Sequence, residues 1–175
     1  MHGIGKLTIC LNNNIMSNIS ENDKIFINQA IDLATENVRN GGGPFGAVIV
    51  KDGEVIATGV NRVTSNADPT AHAEVQAIRS ACAKLGHFEL KGCVLYTSCE
   101  PCPMCLGAIY WARLDRVVYA GTQTDAADAG FDDSFIYKEI ALPMSSRSIP
   151  FKWDGDIKRL EPFDEWRLKT DKVEY

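Results

Sequence analysis

Residues 47–60 read AVIVKDGEVIATGV, in which two β-rich runs, Ala47–Lys51 and Val55–Val60, flank the dipeptide Asp52-Gly53. Asp-Gly between such runs is a strong hairpin signal, because both central positions of the tight turn need positive φ. Upstream, residues 21–39 predict a helix with Ile27, Ile31, Ala34 and Val38 as its apolar stripe, stopped by Gly41-Gly42-Gly43-Pro44. Downstream, Asp68-Pro69 offers a cap and a proline for a helix running to Leu85, with Gly86 as its stop. Cys93–Thr97 reads as a buried strand, Cys102–Arg113 as a helix with Cys102 at the cap, and Arg116–Ala120 as a strand. Residues 122–133 are acidic and rich in Ala and Gly, which predicts a loop or irregular helix. A short helix at Ser134–Glu139, a strand at Ile157–Leu160 and a terminal helix from Pro162 complete the chain. Hairpin, helix, strand, helix, strand predicts an α/β sandwich with a mixed sheet.

At 175 residues the chain suits one domain with a sizeable core. No apolar run approaches the ~20 residues of a membrane span, and the patch Leu7–Leu11 is too short for a signal peptide. Residues 1–20 therefore read as a disordered extension, with Met16 as an alternative start, ahead of a domain spanning 21–175. A cytoplasmic address is the default. A net charge of -5 with scattered basic residues argues against nucleic acid and for a small substrate. Cys99, Cys102 and Cys105 crowd together, which in a reducing compartment indicates metal or redox chemistry.

Gly41, Gly43 and Gly46 spell G-x-G-x-x-G, but they follow a helix and enter a strand, the reverse of the order a dinucleotide site needs. The informative pair is His72-Ala73-Glu74 with Pro101-Cys102-Pro103-Met104-Cys105. Two thiolates and an imidazole give zinc three ligands and leave a fourth position for water. Both segments sit at predicted helix starts, where free N–H groups stabilise thiolates. Glu74, beside the ligand histidine, then serves as the base that blunted Lewis acidity requires. H-x-E followed by P-C-x-x-C is the pattern of zinc nucleobase deaminases. The rival is a closed structural site with Cys99 as fourth ligand, in which Glu74 has no use. An iron–sulfur reading fails where Ile109 stands in place of a cysteine. His87 reads as a surface residue.

The segments Pro44-Phe45-Gly46-Ala47, Asp68 to Glu74 and Thr97 to Cys105 resemble the cytidine-deaminase-like superfamily. Ala108 to Arg113 and Thr124 to Phe135 narrow the resemblance to the small bacterial-type guanine deaminases, and the likeness runs from residue 22 to Tyr175. It implies zinc-dependent hydrolysis of guanine to xanthine and ammonia by a homodimer. It implies a three-layer α/β/α fold with a five-stranded mixed sheet. It also implies one zinc per subunit on His72, Cys102 and Cys105, with Glu74 and Asp133 catalytic. Asn61, Phe45, Trp111 and Phe131 would bind the purine. Tyr175, on a C-terminal segment from about residue 150 that crosses between subunits, would cap the partner's pocket.

Each role has a plainer alternative. Trp111 could be core packing, Asn61 a turn residue, Tyr175 a fraying terminus, and Asp133 a helix cap, which spacing alone favours. Among functions, the alternatives are deamination of cytosine or guanosine, a tRNA adenosine deaminase, and a non-catalytic zinc module.

Overall fold

The computed structural model describes residues 19–155 and 157–174. Its elements are α1 (Glu21–Arg39), β1 (Gly46–Lys51), β2 (Glu54–Val60), α2 (Val63–Asn66), α3 (Ala73–Leu85), β3 (Cys93–Cys99), α4 (Pro103–Trp111), β4 (Arg116–Gly121), α5 (Gln123–Asp128), α6 (Ser134–Ala141) and α7 (Glu161–Leu168). The expected hairpin forms, with Asp52 at φ 50° and Gly53 at φ 81°. β1 pairs antiparallel with β2 and with β3, β3 runs parallel to β4, and the order is β2-β1-β3-β4.

The sheet is covered on both faces. Ala47, Ile49, Cys93 and Leu95 point to one side, packing with Ala73, Ala77 and Ala81 of α3 and Ile109 of α4. Val48, Val50, Tyr96 and Val118 point to the other, packing on Ala30 of α1. β1 therefore reads as a nearly continuous buried run, as a central strand between two helical layers must.

Three expectations need correction. The sheet has four strands among the described residues, not five. Residues 157–160 curl instead of extending, with Arg159 N donating to the Ile157 carbonyl at 2.6 Å. The α1 stripe is rotated: Ala30, Ala34 and Asn37 are buried, while Ile31 and Val38 stay exposed. Small residues face the sheet because β1 approaches α1 closely at Gly46, where an added Cβ would strike the Ala30 carbonyl. α3 starts at Ala73, not beside Pro69, since Asp68 closes a local turn onto Thr70 N at 2.8 Å. Residues 123–128 take the helical one of the two readings offered for this segment, because Thr122 and Asp125 form a capping box.

Candidate active site

The site lies where the first turns of α3 and α4 converge. Gly59 on β2 makes this possible: a Cβ there would collide with the Ala73 carbonyl, so only glycine lets the start of α3 settle against the strand. His72 is the N-cap of α3, with an extended backbone (φ -70°, ψ 155°) and no side-chain cap bond, so its ring is free to turn towards α4. Cys102 caps α4 in the same way, Pro103 occupies the first turn, and Cys105 follows one turn on, buried.

His72 Nδ1 lies 3.5 Å from Cys102 Sγ and 3.6 Å from Cys105 Sγ. All three ligand atoms fall within 4.8 Å of one another. Nitrogen and sulfur bound to a tetrahedral zinc at ordinary lengths sit about 3.6 Å apart. The donor set therefore fits zinc in both spacing and chemistry.

The electrostatics couple the three candidate ligands to one another and to Glu74. Cys102 is held down to about 4, chiefly by the hydrogen bond from Cys105, against the opposing effect of burial. Cys105 is pushed far up by that same bond to Cys102 and by burial. His72 is raised by its hydrogen bond with Cys102. Burial pushes the Glu74 carboxyl up, and Glu74 is only 6% exposed. Such a carboxyl beside a metal site is suited to proton transfer, because burial strengthens it as a base.

His72, Glu74 and Cys102 line a cavity of about 430 Å³. Phe45 and Phe131 line it and meet edge to face, with centroids 5.0 Å apart. Asn61 is buried there, and its Oδ1 accepts from Val63 N at 3.3 Å, which leaves the amide NH2 as its donor to the cavity. Asp133 also lines the cavity.

Cys99 lines the cavity but lies outside the ligand group. Its thiol points to the Thr122 carbonyl at 3.6 Å, and burial pushes it up to about 11. Asp133 stands at the N-cap of α6, yet its side chain makes no cap bond. Trp111 is not brought to the cavity of this chain. It is 62% exposed and lies beside Val75, Ile78 and Phe88 on the outer side of α3 and α4. Tyr175 and the proposed extension up to residue 18 lie outside the described residues. Sequence reasoning missed Gln123, which donates to Asp133, and Glu100, which accepts from the Gln123 backbone. Glu100 lies within the Thr97–Cys105 motif without an assigned role and Gln123 lies in no motif, and contact in space reveals what both do.

Residues 20–121 match the family described as the cytidine and deoxycytidylate deaminase zinc-binding region. The chain is 61% identical over 155 residues to the guanine deaminase of Bacillus subtilis, covering 88% of this chain and 99% of that one. The X-ray structure of the Bacillus subtilis guanine deaminase is similar with a TM-score of 0.85, over 87% of this chain and 98% of the other. A solved chain in complex with 2,6-diaminopurine is 36% identical, with a TM-score of 0.60, over 62% of this chain and 61% of its own. The tRNA-specific adenosine deaminase of Aquifex aeolicus is 42% identical over 54% of this chain and 63% of its own.

Proposed function

Since the chain belongs to the family of cytidine and deoxycytidylate deaminase zinc-binding proteins, we propose that its cavity is the active site of a zinc-dependent guanine deaminase. The observation that carries the substrate is the reach of the match to the Bacillus subtilis enzyme. It covers 88% of the chain, well beyond residue 121, where the zinc-binding region ends. The likeness to a tRNA-specific adenosine deaminase covers 54%, and the net charge of -5 opposes an RNA substrate. A neighbour's complex with a purine base supports the same substrate class.

Held by His72, Cys102 and Cys105, zinc supplies Lewis-acid activation of water. Glu74 takes the proton of the attacking water and passes it to the ring nitrogen beside C2. Glu74 then carries the remaining hydroxyl proton to the 2-amino group, which leaves as ammonia, so guanine and water become xanthine and ammonia. The raised carboxyl of Glu74 suits this shuttling, because burial makes it a stronger base than an exposed carboxylate. Asp133 can only accept, which suits N1–H and the 2-amino group; the Asn61 amide donates to the O6 and N7 edge. Phe45 and Phe131 cover the flat ring.

We read residues 21–175 as one domain that works as a homodimer. Leu106, Tyr110 and Trp111 leave an exposed apolar face on α4, and Trp153, Phe163 and Leu168 leave another on the C-terminal segment. A second copy covers both when the segment from about residue 150 crosses over. Trp111 and Tyr175 would then serve the neighbouring cavity. No described helix is long and apolar enough to cross a membrane. The described cysteines are all free, which suits a cytoplasmic enzyme.

Ammonia release by zinc-loaded protein from guanine, guanosine, cytosine and a tRNA anticodon stem-loop tests this reading. Guanine should exceed each of the others by at least about tenfold. A faster rate on any other substrate reassigns the cavity, and no release from any substrate favours a structural zinc module.

A further inference from the structure

We infer that Gln123 is a positioning residue that sets the direction of the Asp133 carboxylate towards the purine's amine edge. The inference rests on the reading of Asp133 as a substrate contact. An aspartate at a helix N-cap ordinarily turns back onto the N–H groups of its own helix. Asp133 does not, and the task falls to Asp132, whose Oδ1 accepts from Ser134 N at 2.8 Å. Asp133 Oδ1 instead accepts from Gln123 Nε2 at 2.7 Å, across ten residues of chain. A carboxylate only accepts, so the NH2 of the glutamine must be the group facing it. With Oδ1 held, Oδ2 is the oxygen left to meet a donating ligand in the cavity that both residues line.

The glutamine is itself fastened. Its backbone N donates to Glu100 Oε2 at 3.1 Å, and Glu100 N donates to the Gly121 carbonyl at 2.8 Å. Glu100 stands between Cys99 and Cys102, on the loop that carries the first thiolate into the site. The direction of the carboxylate is thus referred to the metal-binding loop and not to the helix it begins. The backbone bond and the side-chain bond of Gln123 are separate, so a substitution removes one and leaves the other.

Gln123→Met keeps the length and deletes the amide, while Gln123→Glu sets a second carboxylate against Asp133. Steady-state kinetics on guanine, assayed well below each variant's melting midpoint, should show kcat/KM down about tenfold for Gln123→Met. Gln123→Glu should fall further, and both should keep zinc content near wild type. In an Asp133→Ala background, Gln123→Met should add less than about twofold, because its partner is gone. Normal rates for Gln123→Met beside a damaged Asp133→Ala overturn the inference. So does full additivity, which would mean that Gln123 acts on the substrate directly. A fully active Asp133→Ala instead removes the reading of Asp133 on which the inference stands.

Discussion

Arg116 grips Asp23 with both terminal guanidinium nitrogens, at 2.6 and 3.1 Å, and ties the start of α1 to the first residue of β4 across 93 positions. Tyr96 adds a hydroxyl bond to the same carboxylate at 2.7 Å. Asp23 is buried, and Arg116, with help from Tyr96 and Ser20, holds its carboxyl well below the usual range against the cost of burial. A depressed folded pKa gives stability that is complete above the unfolded value of ~4 and is lost as pH falls below it. Asp23→Asn should therefore flatten the fall in melting temperature between about pH 5 and pH 2. At neutral pH it should cost about 1.5–3 kcal/mol. Superimposable acid limbs for the two proteins would refute the assignment.

Metal content separates the cysteines. Cys102→Ser and Cys105→Ser should lose zinc, since each takes away one of three ligands within 4.8 Å of one another. Cys99→Ser should keep it, because that thiol is turned to the Thr122 carbonyl. Equal loss in all three variants would favour a closed structural site.

Glu74→Gln should retain zinc and fold while turnover drops by about 10²–10⁴-fold. The amide matches the buried carboxyl in size but cannot carry the proton. Activity above about a tenth of wild type is incompatible with the role assigned to it.

The outer face of α4 and the tail can be tested together. Light scattering should give a dimer, and Trp111→Glu should weaken it. A chain ended after Pro150 should keep its zinc but lose most turnover, because water then reaches the reacting groups. Mixed with Glu74→Gln under conditions of subunit exchange, it should recover part of the activity. No recovery despite exchange would mean that the tail does not cross.

Much of this fold was legible because its signals are local. Asp52-Gly53 could only be a turn of positive φ, and Gly86 ends α3 at φ 67° as a helix stop should. Cys102 and Pro103 marked a helix start, and the pairing of His72 with the two cysteines followed from what zinc requires of its ligands. The failures lay where a local turn or a contact across the chain overrode the pattern. Pro69 looked like a first helical residue, but the helix waits until His72 can present its ring. Ile157–Leu160 had the composition of a strand yet curls before α7. Gln123 is an ordinary glutamine until the chain folds Asp133 back upon it.

The proposed metal ligands come from two helix starts, with His72 30 positions before Cys102 and 33 before Cys105. Neither βα unit alone can offer a complete site. High-affinity loading must therefore come after α3 and α4 have docked against the same face of the sheet. Zinc retention is then a receipt for finished assembly, and an immature or misfolded chain competes poorly for the ion. Any lesion that loosens either helix start will surface first as slow or incomplete metallation, well before the bulk of the fold gives way.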